Sequence, residues 1–426
     1  MTTILLLFAI MLVLVAIGVP LVYSIGGAAV VGAMSMNFTF LPSRMFTGVE
    51  SFVLASIPFF LLAAEILSSG GLIQRMITFA RLLIGHIRGG LAQVNILVSM
   101  IFAGIQASCT ADSAAIGGVL IPAMVREKYD KDFSVVVTAT SSCCGPIIPP
   151  SILMVLYAFL TNTSVAKLFL GGAIPGVLLG FALMGITHYW VLRRGYARSR
   201  ERIAPIPEIA KAGAATSPAL LVPLIIVLGL VGGLVTPTEA GVLACVAAII
   251  VAGLFYRELS TSKFVGALKR AAHTTAVIWA VIAVSTPFSE LLVRNLFAAK
   301  IVDGISTIAS GPTGALLVMT LIVFVLGMAV DTTPLLIMLA SPLYEAGKLF
   351  GIDPIHLGVV LVMAALIGTV SPPVSILLCL NCGIAKIPLS ETFRIIWSYL
   401  AVMLSVVVLC VVFPKLVTWL PNLLSS

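Results

Sequence analysis

The stretch GPIIPPS fills residues 145–151 inside an apolar run, and GTVSPPVS repeats its layout at residues 368–375. Such a stretch resists a regular helix. Glycine is too free, and proline lacks the N–H donor and crowds the preceding turn. The surroundings sharpen the question. Of 426 residues, 60% are hydrophobic and 9% charged, where an ordinary soluble domain carries about a quarter charged residues. Long apolar runs recur from residue 4 to residue 420 with no alternation at period two. The fold class expected is therefore an all-α polytopic membrane protein, and a β-barrel is excluded.

The candidate spans are 4–17, 21–36, 51–67, 91–125, 135–160 and 168–192, then 219–235, 239–256, 274–292, 314–344, 357–382 and 395–420. No Lys or Arg precedes Arg44, so the first run lacks the positive n-region of a secretory signal and reads as a retained helix. Several runs are too long for one straight crossing and carry Gly or Pro near the middle.

A shift of 223 residues takes Gly104 to Gly327, Gly145 to Gly368, Pro149 to Pro372 and Pro150 to Pro373. SIPFF at residues 56–60 resembles STPFS at residues 285–289, at a slightly different offset. The chain thus reads as two repeats, residues 1–192 and 217–426, joined by a basic linker at 193–216. The repeats are expected to be inverted, with the two proline pairs meeting near the bilayer midplane. Broken helices at matching positions of two halves point to a transporter binding site, where unwound backbone faces a cavity.

The residues at the breaks suggest the cargo. Ser108, Thr110 and Asp112 gather oxygen atoms at one break, and Asp331, Thr332 and Thr333 do so at the other. Sodium wants several hard oxygen ligands, whereas a proton relay favours chains of titratable groups. Two non-equivalent sodium sites are expected. The first joins residues 108–112 to the segment from Ser142 to Gly145. The second joins Gly327 and the Asp331 break to Gly368 and Thr369.

Candidate substrate positions are the proline pairs themselves, Pro149 with Pro150 and Pro372 with Pro373. The others are Ser56, Pro58, Ser285 and Thr286, each read as lying at the tip of a re-entrant hairpin. Free N–H groups and hydroxyls there would suit a carboxylate. A proline kink in an ordinary helix is the competing reading. Glu239, Glu65 and Glu290 read as structural, Glu239 as a capping acid in a first helical turn.

Charge gives a partial orientation. Arg193, Arg194, Arg198, Arg200, Arg202 and Lys211 mark a cytoplasmic loop rather than a nucleic-acid site. A second basic stretch holds Arg75, Arg81 and Arg88. Three spans separate the two stretches, so simple crossing would put them on opposite sides. Either one span does not cross fully, or the segment 76–88 lies flat at the interface. The seven cysteines lie in apolar segments and read as packing residues, although Cys379 and Cys382 have CxxC spacing. The four scattered histidines form no metal-site pattern.

In these motifs the chain resembles the large membrane subunit of tripartite ATP-independent periplasmic (TRAP) transporters. The resemblance rests on residues 57–60, 103–124 and 146–152, GGAIPG at 171–176, and TPTEAG at 236–241. It continues through GMAVD at 327–331, GIDPIHLG at 351–358 and IGTVSPPVS at 367–375. The triplet at residues 108–110 departs from the Gly-Ser-Ala pattern of such proteins.

The resemblance implies a secondary transporter, not an enzyme, in the bacterial inner membrane. It implies import of an organic acid such as a C4-dicarboxylate or sialic acid, with Na+ as coupling ion and no other cofactor. The implied partners are a soluble periplasmic substrate-binding protein and a small four-helix membrane subunit, separate or fused in such proteins and expected here on a separate chain. It also implies an elevator mechanism.

Three other readings compete: a stand-alone sodium/carboxylate symporter, a membrane-embedded enzyme, and a passive channel. The enzyme would need a nucleophile with a base, and no such pair is legible.

Overall fold

Helices in this protein stop where glycine and proline cluster. The computed structural model describes residues 2–35, 41–69, 71–105, 108–199, 203–295, 297–309 and 311–424, and these are helical with no strands. The first half runs α1 (Thr2–Ala16), α2 (Leu21–Ser35), α3 (Leu41–Val49), α4 (Ser56–Ser69) and α5 (Leu72–Ile84). It continues through α6 (Gly90–Ala103), α7 (Cys109–Arg126), α8 (Lys131–Ser141), α9 (Ile152–Thr161) and α10 (Val165–Arg194). The second half runs α11 (Ile206–Val231), α12 (Pro237–Ile250), α13 (Thr261–Arg294), α14 (Phe297–Ser306) and α15 (Gly311–Gly327). It ends with α16 (Thr332–Leu349), α17 (Pro354–Val370), α18 (Ile376–Ala385), α19 (Phe393–Val412) and α20 (Lys415–Leu424).

The 223-residue shift read from a few glycines and prolines holds for whole helices. It carries α7 onto α16 end for end, and the first residue of α8 onto the first residue of α17. Helices α5, α6 and α9 land on α14, α15 and α18 within about two residues at each end. Packing repeats as well: α4 lies against α12, and α13 lies against α2. The span expected at 21–36 ends at Ser35, Met36 being outside the described residues. The basic stretch contains more helix than a loop would, since α10 runs to Arg194 and α11 begins at Ile206. Arg200 and Arg202 lie outside the described residues.

Ion pairs fix which helix ends lie together. Arg81 on α5 pairs with Glu127 just past α7, and Ser199 donates to the same carboxylate at 2.7 Å. Arg194 reaches Asp130 at 2.8 Å and Asp132 at 2.9 Å. The backbone of Gly89 donates to Ala197 at 3.0 Å. The start of α6, the end of α7, the start of α8 and the end of α10 therefore share one face of the molecule. Tyr196 belongs to the same cluster and donates to Asp130 at 2.6 Å. Burial and that hydrogen bond push its hydroxyl up to about 12, so it stays a donor.

It follows that α6 and α7 form a hairpin that turns back at the Gly104 break. They are not one long crossing. By the repeat, α15 and α16 turn back at Gly327. The crossing helix of each half is broken instead at its proline pair, α8 into α9 and α17 into α18. This places both basic stretches on one face, because the run at 91–125 enters and returns. Helix α5 is bent 70° from α4, as a segment lying across the spans would be.

The two Ser-Pro motifs fall differently: turns at residues 52–55 directly precede the first, and the second lies inside a helix. Ser56 begins α4, with Pro58 in its first turn, and Ser285, Thr286 and Pro287 lie inside the continuous α13. Proline in a first turn removes only a donor that had no partner. Within α13 the loss at Pro287 is local, and the Thr286 hydroxyl donates to the Ile282 carbonyl at 2.9 Å. Pro287 there sits inside one continuous helix.

Glu239 is structural: it closes a capping box with Thr236. Glu290 pairs with Arg44 and Arg294.

Candidate functional site

The two hairpin tips face one cavity of about 210 Å³. Ser108, Cys109 and Thr110 line it from the start of α7; Asp331, Thr332 and Thr333 line it from the start of α16. Helix α13 closes one side with Thr274, Val277, Ile278 and Val281, and Leu61 of α4 stands beside them. Pro146, next to the first proline pair, also lines it.

Each helix start is shaped by its own cap. The Ser108 hydroxyl accepts from the Ala111 N–H at 3.4 Å and lies 3.0 Å from the Thr110 hydroxyl. Asp331 holds the N-cap position of α16 without a side-chain capping bond. The Thr332 hydroxyl is buried with no hydrogen-bond partner among the described residues. Two helix N-termini, carrying partial positive charge and free N–H groups, thus point into the same space.

Asp112, in the first turn of α7, does not itself line the cavity, nor do Ser142, Gly145, Gly327, Gly368 and Thr369, and it is the most costly residue beside it. It is 0% exposed, and both carboxylate oxygens lack a hydrogen-bond partner among the described residues. The hydroxyls of Ser142 and Ser99 lie within electrostatic reach of it, short of hydrogen-bond geometry. Ser142 donates instead to the Thr138 carbonyl at 2.9 Å, and Ser99 shares a bond with Ser141 at 3.1 Å. An ionised carboxyl buried without a partner is strongly unfavourable. The arrangement suits a small cation.

Within each half the hairpin tip touches the proline break. A side chain on Gly104 would meet the Pro149 carbonyl oxygen at 3.4 Å and the Pro223 ring of α11 at 3.1 Å. One on Gly368 would meet the Gly327 backbone at 2.6 Å, so these two glycines let the chains pass in contact. Gly145 donates to the Ser142 carbonyl at 3.3 Å, and the Thr369 hydroxyl donates to Leu366 at 2.7 Å. Gly327 and Gly368 are therefore neighbours, and α7 packs against the turn at Ser142–Cys144.

Both proline peptides, Pro149–Pro150 and Pro372–Pro373, are cis. A serine closes each break: Ser151 bonds the Pro146 carbonyl, and Ser375 bonds that of Val370 at 2.9 Å.

The halves differ in cover. Pro150 is buried against α4 and α11, beside Phe60, Val222 and Ile226. Its counterpart Pro373 is exposed, and Val374 beside it is 47% exposed. Leu156 on α9 is 0% exposed, while its counterpart Cys379 on α18 is open. Helix α18 lies at the basic face, because it packs on α7 and α8.

Four expected substrate residues stand off the cavity: Ser56, Pro58, Ser285 and Thr286 do not line it. Ser285 follows Val281 by one turn on α13, buried, its hydroxyl without a partner among the described residues. Pro149, Pro150, Pro372 and Pro373 border the site without lining the cavity. Sequence reasoning missed the α13 wall, Cys109 and Ser99. Only the fold brings them here, since α13 reads as an ordinary apolar span.

The sequence matches the family described as "Tripartite ATP-independent periplasmic transporter, DctM component" over residues 8–416. The chain belongs to this family. It is 33% identical to the sialic acid TRAP transporter large permease protein SiaM of Vibrio cholerae, over 95% of each chain. It is 34% identical to the C4-dicarboxylate TRAP transporter large permease protein DctM of Pseudomonas aeruginosa, over 90% of each. Its fold is similar to the YdaH transporter of Alcanivorax borkumensis, with TM-score 0.65 at 13% identity, over 90% of this chain and 89% of that one. A TRAP large permease is a multi-pass membrane protein, and its members are transporter subunits rather than enzymes.

Proposed function

We propose that this TRAP permease couples the entry of sodium to the import of an organic carboxylate. One observation carries the reading: two helix N-termini, rich in hydroxyls, meet in one cavity, and Asp112, in the first turn of α7 behind that lining, is buried with no hydrogen-bond partner among the described residues. The carboxyl supplies a cation site, and the helix ends supply an anion site. Sodium near Asp112, with oxygens of Ser99 and Ser142, would neutralise the first and add positive charge to the second. That coupling makes ion and substrate bind together. The cargo named for the two relatives above, sialic acid and C4-dicarboxylate, carries a carboxylate in both cases.

The second sodium site is assigned to Asp331, Thr332 and Thr333 with Gly368 and Thr369. The substrate lies between the tips. We assign the basic face to the cytoplasm and the protein to the bacterial inner membrane. The two repeats, residues 1–192 and 217–426, are inverted about the linker at 193–216. The uncovered α18 then makes this a state turned toward the cytoplasm. Movement of the two hairpins and broken helices past α4, α11 and α13 gives alternating access of the elevator kind. A periplasmic binding protein and a separate small membrane subunit complete the transporter.

The test is uptake into liposomes holding the large and small subunits. Labelled succinate or sialic acid should enter with an inward sodium gradient and the binding protein, and should not enter with potassium alone. Uptake with sodium but without the binding protein would favour a stand-alone symporter. Uptake indifferent to sodium would overturn the coupling.

A further inference from the structure

Helices α4 and α13 run from the cavity toward the basic face, because α4 leads into α5 and Arg75 of α5 pairs at 2.6 Å with Glu258, just before α13. Leu61 lines the cavity from α4, and Thr274 is the first lining residue of α13. One turn beyond Leu61 is Glu65, and one turn before Thr274 is Arg270, each at the i,i+4 spacing that keeps a residue on the same helix face. The pair meets. Arg270 Nε donates to Glu65 Oε2 at 2.7 Å, and its Nη2 donates to Ser69 Oγ at 2.9 Å. Glu65 is 19% exposed and Arg270 is 54% exposed.

A half-open ion pair contributes little to stability, so its position asks for another role. A guanidinium carries five N–H donors in a rigid plane. Glu65 and Ser69 take two and fix the plane, which leaves three for a ligand. Between residues 259 and 289 the chain has no Asp or Glu, while Lys263, Lys269, Arg270 and His273 stand there. This end of α13 carries a positive potential that draws anions. No Lys or Arg lines the cavity among the described residues. Arg270 is the first fixed cation that an anion would meet on leaving along α4 and α13.

We propose that Arg270 is a second, transient station for the substrate carboxylate, between the cavity and the basic face, with Glu65 and Ser69 as its positioning residues. The proposal rests on the reading of the cargo as an organic carboxylate. A carboxylate leaving the helix N-termini takes two of the remaining N–H donors in a bidentate pair. It then passes to the hydrated basic face, while Glu65 keeps the guanidinium aimed.

The test uses the reconstituted transporter, with exchange of labelled succinate or sialic acid measured from each membrane face. Arg270→Gln should raise the half-saturation concentration at the basic face about tenfold, the loss expected for one charged hydrogen-bonding partner. The value at the opposite face should stay within about twofold. Arg270→Lys should recover part of the loss, since it keeps the charge without the fork. Glu65→Gln, which keeps Arg270 but loosens it, should fall between. A purely structural role would slow exchange equally from both faces and lower the thermal midpoint of the purified complex. Wild-type exchange with unchanged half-saturation in Arg270→Gln overturns the proposal alone. A wild-type transporter that moves neither acid overturns the carboxylate reading and the proposal with it.

Discussion

The thiol sulfur of Cys143 lies 3.6 Å from the carbonyl oxygen of Leu366, and the two residues are 223 positions apart. That is the repeat offset, so Cys143 and Leu366 are each other's counterparts. Equivalent residues touch only at the axis that relates two repeats. The axis therefore passes between the last turn before the first break and the last turns before the second. Both residues are 0% exposed.

Added bulk at this contact should strain both halves together. Cys143→Phe should destabilise the complex by at least about 1–3 kcal/mol, the usual cost of overpacking a close-packed core. Cys143→Ala should cost less, because it removes one small group. Thermal unfolding of the purified complex measures this, and an unchanged midpoint for Cys143→Phe would place the axis elsewhere.

The second break gives a sharper steric test. Gly368→Ala would put a methyl group 2.6 Å from the Gly327 backbone, which has no side chain that could rotate away. Transport should be lost and the unfolding midpoint should fall. Gly118→Ala on α7, with nothing within 4 Å, serves as the control and should be neutral. Equal behaviour of the two variants would mean that the hairpin tip and the break do not touch.

The unequal cover of the halves predicts a labelling pattern. Cys379 is exposed, and Cys143 and Cys144 are buried. A membrane-permeant maleimide should react with Cys379 at once and leave the buried pair untouched in the folded protein. Cys109, on the cavity wall, should react slowly and be protected by sodium with substrate. Fast labelling of Cys143, located by mass spectrometry, would show that the core around the axis opens.

Much of this was legible in the residues. The glycines and proline pairs set the offset because they mark where helices cannot continue, and helix ends elsewhere followed the same shift. The direction of the chain at a break was not legible. The run at 91–125 has the same hydropathy whether it crosses or turns back, and the turn is fixed by Arg81 meeting Glu127, 46 positions apart. The Ser-Pro motifs are ambiguous for a related reason. Proline can start a helix, as at Pro58, or sit inside a long one, as at Pro287, and only the neighbours decide between them. Glu65 reads as structural from the sequence, and its partner Arg270, 205 positions away, is set only by the fold.

The account stands most directly on Asp112. Its carboxyl is buried, with no partner among the described residues, and a bound sodium ion is the partner assigned to it. Sodium-dependent uptake of labelled succinate or sialic acid should be measured in wild type, Asp112→Asn and Asp331→Asn. Wild type should show a Hill coefficient for sodium above one. Each variant should need about 10- to 100-fold more sodium for half-maximal uptake, as expected for losing a charged ligand worth about 1.5–3 kcal/mol. A wild-type Hill coefficient near one, with the same sodium dependence in both variants, would contradict the two-site account.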